Sequence, residues 1–187
     1  MQRRFHWVIA LGALVGIGCS GPVGTSAGVG LQINVSSTGS CGVANPQPLD
    51  DIGSPPPDHS KGNSGKRVYD GDGGVEASCS VKGGGPWSIS GRITSVSPRL
   101  SFLIDAGVIN SDGSGTGSIS VSTAAIAGSV SSAPPGQECT LSAVESGGGL
   151  LVKSGAVWAT FQCPVLFAPP SQTCYVSGEF VFENCSK

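Results

Sequence analysis

Seven cysteines in 187 residues constrain this chain more than any other feature. Three of them fall in one C-terminal stretch, residues 156–185, AVWATFQCPVLFAPPSQTCYVSGEFVFENC. The same stretch alternates Val176, Phe180 and Phe182 with Ser177, Glu179, Val181 and Glu183. Period-two alternation is the pattern of a half-buried strand. Two strands joined by a Pro-rich loop and stapled by cysteines are therefore expected here. Gly numbers 30, charged residues are 12% and aromatics 6%. So few helix-favouring side chains among so many turn formers argue for short strands rather than a helical bundle. The net charge of −2 and the lack of a basic run argue against nucleic acid as a partner.

The first eighteen residues have the three parts of an export signal. Arg3 and Arg4 are its positive region, and Trp7 to Ile17, WVIALGALVGI, is its apolar region. A run of that length is short of the ~20 residues that span a bilayer as a helix. Gly16-Ile17-Gly18-Cys19-Ser20 follows. It resembles the lipobox of bacterial lipoproteins, with Gly16 where Leu is usual. The resemblance implies cleavage before Cys19, diacylglycerol on its sulfur and an acylated new amino group. It further implies an exported, lipid-anchored protein of the cell envelope, with Ser20 similar to proteins sorted to the outer membrane. Cleavage after Ala27 is the alternative. Either cut leaves an even number of cysteines, six, for disulfides.

Residues 19–30 read as a lipidated flexible tether and 31–187 as the folded domain. Leu31, Ile33 and Val35 begin the first strand. Residues 42–66 are poor in apolar side chains and contain Pro55-Pro56-Pro57, so they are expected to form a loop. Val75, Ala77, Cys79 and Val81 form the inward face of the next strand, and Trp87, Ile89 and Ile93 that of another. Leu100, Phe102, Ile104, Ala106 and Val108 suggest a further inward face, ended by the hairpin signal Asn110-Ser111-Asp112-Gly113. Ile119 with Val121, Cys139 with Leu141 and Ala143, and Val157 with Ala159, Phe161 and Cys163 supply more. Eight or nine short antiparallel strands with turns at near-regular spacing predict an all-β, jelly-roll-like β-sandwich stapled by disulfides. A closed barrel is the alternative.

Six cysteines allow fifteen pairings. Cys163–Cys174 closes a short loop and is the expected first pair, and Cys41–Cys79 and Cys139–Cys185 complete the set. The absence of any Cys-x-x-Cys, and His59 as the only histidine after the signal, speak against zinc. No Gly-x-Ser-x-Gly nucleophile elbow occurs, and His59 sits in the Pro-rich loop, so no enzyme and no catalytic residue is expected. Asp70 and Asp72, in Asp70-Gly71-Asp72-Gly73, are the candidate for a calcium-binding turn. Alternation turns Trp158 away from Val157, Ala159 and Phe161. With Tyr175 it is the candidate ligand-stacking surface, unless a loop such as Leu166-Phe167 covers it.

Gly74-Val75-Glu76-Ala77-Ser78-Cys79-Ser80-Val81, Trp158-Ala159-Thr160-Phe161-Gln162-Cys163 and Gly178-Glu179-Phe180-Val181-Phe182-Glu183-Asn184-Cys185 resemble uncharacterised small disulfide-rich lipoproteins of myxobacteria. That likeness implies an envelope β domain and carries no catalytic residue. The expected role is structural or interactive, with an envelope protein or polysaccharide as partner. A carbohydrate-binding or other ligand-binding module, aided by calcium, is the second reading.

Overall fold

The structure, a computed structural model, describes residues 26–36, 47–52, 67–96, 99–123, 129–132, 138–168 and 172–187. It is all-β and antiparallel. One face holds β1 (Gly28–Ser36), β2 (Gln47–Ile52), β3 (Val68–Tyr69), β13 (Ala156–Ala168) and β14 (Gln172–Glu183). The other is a meander of β4 (Val75–Gly83), β5 (Trp87–Val96), β6 (Arg99–Ile109) and β7 (Ser114–Thr123). The faces join through β8 (Ser129–Ser132) and β9 (Cys139–Ala143), each pairing with both β7 and β13. The result is one nearly closed sheet, folded over its own core like a sandwich. Three short strands, β10 (Glu145–Ser146), β11 (Gly149–Leu150) and β12 (Val152–Lys153), lie between β9 and β13.

The remaining gap is narrowed by the C-terminal residues, which run beside β4. Val81 N–H donates to the Ser186 carbonyl at 3.0 Å, Ser186 N–H to that of Cys79 at 3.0 Å, and Gly155 N–H to that of Val81 at 2.9 Å. The seam satisfies backbone groups of β4 that would otherwise present an open edge. The Cys79–Cys185 disulfide locks it, with Cα atoms 4.8 Å apart.

Phe102 of β6 is the hub of the core. Its ring centroid lies 5.4 Å from Phe161, 5.7 Å from Phe180 and 6.4 Å from Phe182, so one residue ties the meander to β13 and β14. Tilted pairs at these distances contribute about 0.5–1.5 kcal/mol each beyond area burial. Gly91 stands where β5 alternation calls for an inward side chain. A Cβ there would sit 2.5 Å from the Phe182 ring, so the glycine makes room for it.

The structure corrects several expectations. β1 starts at Gly28, and fully buried Val29 puts that residue in the core rather than the tether. Gln47–Ile52, expected in the 42–66 loop, is a strand paired with β1, with Ile52 buried; Pro48 is tolerated because β2 is an edge. Residues 53–66, including His59, lie outside the described residues. In β6 the inward face runs Leu100, Phe102, Ile104 and then switches to Gly107 and Ile109, leaving Ala106 and Val108 exposed. A bulge between Asp105 and Val108, with Ala106 at φ 50°, inserts the residue that reverses the parity.

The disulfides also differ. Cys79 bonds Cys185, and Cys139 bonds Cys163. Counting alternate residues turns Cys185 outward, but Asn184 adopts φ 57° and swings Cys185 inward to 7% exposure. Thr140 stands opposite Gln162, so the register carries Cys139 to Cys163, Cα to Cα 4.2 Å. In the β13–β14 hairpin Cys163 faces Val176 while Cys174 faces Leu166, which rules out the expected Cys163–Cys174 pair. Cys174 is also disulfide-bonded. Cys41 lies outside the described residues, and its expected partner Cys79 is taken.

The loop-entropy relation gives about 4.8 kcal/mol for a bond separated like Cys79–Cys185, by 106 residues, and about 3.5 kcal/mol for one separated like Cys139–Cys163, by 24. Paired Cys→Ala substitution of the first is therefore expected to lower the urea-unfolding free energy by more, by roughly 1 kcal/mol. In the β6–β7 turn the Ser114 hydroxyl and backbone N–H both donate to Asp112 Oδ1 and hold this carboxyl below its ordinary value. A lowered folded pKa stabilises fully above the unfolded value of ~3.9 and is lost as pH falls through the folded one. Asp112→Asn should thus lower the urea midpoint at pH 7, and the difference from the parent should close as the pH is taken down to ~2.

Candidate functional site

The outward face of β13 and β14 carries a second, smaller hydrophobic cluster, separate from the core. Trp158 and Val181, opposite each other in register, are covered by Val144 and packed by Leu151. The cover is an arch. Val144 N–H donates to the Trp158 carbonyl at 2.9 Å, Leu151 N–H to that of Val144 at 2.8 Å, and Trp158 N–H to that of Leu151 at 2.9 Å. Between the two anchors the chain makes the β10–β11 hairpin. Gly147 and Gly148 form its tip at φ 61° and 85°, a pair of positive values that a tight hairpin turn demands.

Trp158 is consequently 8% exposed rather than an open stacking platform. The arch covers it, and not the Leu166-Phe167 segment suggested by sequence. A buried indole needs an acceptor for its N–H. Glu179, two residues before Val181 on the same outward face, supplies it through Oε1. The Arg67 guanidinium lies 5.8 Å from the Trp158 ring centroid, and its Nη2 is 3.3 Å from Glu183 Oε1. The outward positions of β1 at this end are Gly28 and Gly30, both buried, and the Tyr69 ring lies 3.2 Å from where a Cβ of Gly28 would stand. Arg67 is only 7% exposed at its side chain, Glu183 41%.

Beside the arch opens a cleft of about 440 Å³, within the range of small-ligand sites. Leu151, Val152, Trp158 and Val181 give it an apolar wall, with Arg67, Lys153 and Glu183 as its charged groups. A second cleft of similar volume shares Lys153 and Glu183 and adds Lys187. A shallower hollow of about 270 Å³ lies farther along the outward sheet face, lined by Gln32, Thr160, Gln162, Ser177 and Glu179.

Tyr175 does not join Trp158. It is six residues from Val181, Trp158's partner in register, or ~20 Å along an extended strand. The structure therefore separates the two expected stacking residues. Asp70 and Asp72 serve the turn itself: Asp70 Oδ1 accepts Ala77 N–H at 2.8 Å, and Asp72 Oδ2 accepts Tyr69 N–H at 3.1 Å. Among the described residues no three carboxylate, histidine or cysteine side chains converge in a way that could hold a metal ion, so nothing adds to the partial calcium pattern. Glu179 and Glu183 share the outward face as expected, each engaged by a different partner.

Arg67 carried no signal in the sequence as a site residue. Arg67 sits 116 positions from Glu183, and nothing local announces that distance. The arch was legible in part, since two apolar residues, Val144 and Leu151, flank a Gly-Gly turn. Comparison with family models, curated proteins and solved structures finds no match.

Glu179→Ala should remove the acceptor of a buried indole N–H and destabilise the domain by about 1–3 kcal/mol. Glu179→Gln, which keeps an acceptor oxygen, should recover much of that loss. Urea unfolding checks both, with the emission maximum of Trp158 as second readout in a background carrying Trp7→Phe and Trp87→Phe.

Proposed function

We propose that the protein is a non-enzymatic lipoprotein of the cell envelope, anchored by lipid on Cys19 and serving a structural or interaction role. The observation that carries this reading is the state of the cysteines. Four pair among themselves, and Cys174 is disulfide-bonded as well. Stable disulfides belong to oxidising compartments, in keeping with an export signal. Cys19 and Cys41 remain, one for the bond to Cys174 and one over. Ser36 stands opposite Tyr175, next to Cys174, and Cys41 follows Ser36 by only five residues. Cys19 precedes Gly28 by nine residues, at the far end of the same strand. The leftover cysteine is then Cys19, directly after the apolar signal region. Lipidation gives an unpaired thiol in an exported protein a chemical purpose.

A second reading, glycan binding, draws on the hollow lined by Gln32, Thr160, Gln162, Ser177 and Glu179, whose amides and hydroxyls suit sugar hydroxyl groups. Under it, Gln162→Ala weakens retention on immobilised envelope polysaccharide, and an unchanged retention removes it.

The intact mass of protein extracted from its own membranes tests the first reading. The expected mass is that of 19–187 plus a diacylglycerol and an acyl group, rising by six hydrogens on reduction. A lipid-free mass beginning near Gly28 would overturn it.

A further inference from the structure

We propose that the cleft beside the arch binds one acyl chain of an anionic membrane lipid. Three features converge on that ligand. The apolar wall is made of Leu151, Val152, Trp158 and Val181, and the volume of about 440 Å³ suits a single chain rather than a folded peptide. On the side shared with the neighbouring cleft two lysines outnumber one carboxylate, Glu183, which is itself paired with Arg67. Lys153 borders both and Lys187 borders the second, and both lysines are exposed. Two exposed ammonium groups flanking an apolar slot suit a molecule with a long apolar tail and a negative head.

The third feature is position. Glu183, which lines both clefts, stands opposite Gly28, where the chain enters the sheet. The entry is fixed there by Asp70 N–H donating to the Ala27 carbonyl at 3.1 Å and by the Asn184 side-chain amide donating to that of Ser26 at 3.3 Å. Cys19 lies seven residues before Ser26, so a tether from it spans at most ~25 Å. In this respect the inference rests on the anchored reading: a domain held on so short a tether keeps this end, and these clefts, within reach of the bilayer. The lipids there are then the most concentrated ligands available to the slot, with the arch closing over Trp158 as its back wall.

The test is quenching of Trp158 emission by a fatty acid brominated at mid-chain, titrated into the full chain bearing Cys19→Ser. Quenching that disappears in Trp158→Phe is expected. Lys153→Glu combined with Lys187→Glu, both at exposed positions that leave the core untouched, should weaken binding about tenfold, 1.4 kcal/mol. Native disulfides in each variant, read by mass, establish folding. Equal quenching in Trp158→Phe, or no quenching in the parent, overturns the site. Equal binding of an uncharged brominated alcohol overturns recognition of the negative head. If the Cys19→Ser chain is quenched but the lipidated protein is not, the slot holds the chain's own lipid, and the bilayer lipid is overturned as occupant. A lipid-free native mass would sink the anchor and leave this titration to decide the slot alone.

Discussion

Closure of the sheet is the constraint on which the rest depends. A strand with an unpaired edge exposes a row of backbone donors and acceptors, and β4 would be such a strand. The last residues of the chain solve this by lying along it, with Ser186 bonding to both Cys79 and Val81. The disulfide at Cys185 makes the solution permanent. Once β4 is held against the C-terminal segment, β5 and β6 are held over β14. Phe182 can then enter the space opposite Gly91, and Phe102 can reach three other phenyl rings.

The same seam positions the outward features. Gly155, between β12 and β13, accepts from Cys185 N–H and donates to Val81, so the turn bearing Lys153 is fixed to both ends of the closure. The arch begins just before that turn and is bonded to the β13 backbone at Trp158. A charged set, Arg67, Glu179 and Glu183, then surrounds an indole on the outside of the sheet. Exposed ion pairs stabilise little by themselves. Here the arginine is nearly buried and also meets the ring, an arrangement that fixes side-chain positions as much as it adds energy.

Strand existence was plain in the sequence because alternation is a local property. β4, β5, β7, β9, β13 and β14 turn towards the core the side chains that period two assigns to them, Ala77, Cys79, Trp87 and Ala143 being only partly buried there. It failed wherever the backbone left the extended region. Ala106 in β6 and Asn184 after β14 both have positive φ, and each reversed the parity of what followed. The cysteine pairing has another cause: a short loop favours Cys163–Cys174, but the β9–β13 register, invisible in local sequence, carries Cys163 to Cys139 and leaves Cys185 for Cys79. Residues 47–52 read as loop because they share a stretch poor in apolar side chains with Pro55-Pro56-Pro57, yet Pro48 sits on an edge strand, where no donor is needed on the open side. The outward cluster was hidden for another reason. A tryptophan facing away from one core reads as exposed until the segment that folds back over it is known, and Val144 and Leu151 do so from a hairpin separate in register from β13.

The manner in which the chain enters the sheet has a mechanical consequence. β1 begins at Gly28 and is matched to β14 along nine residue pairs, with β2 and β3 on its other side. A force applied through Ser26 along the strand axis loads those pairs side by side, in shear, instead of peeling them one after another. The domain can therefore be towed by its leading end without the first strand unzipping, and the cross-link network beyond it shares the load.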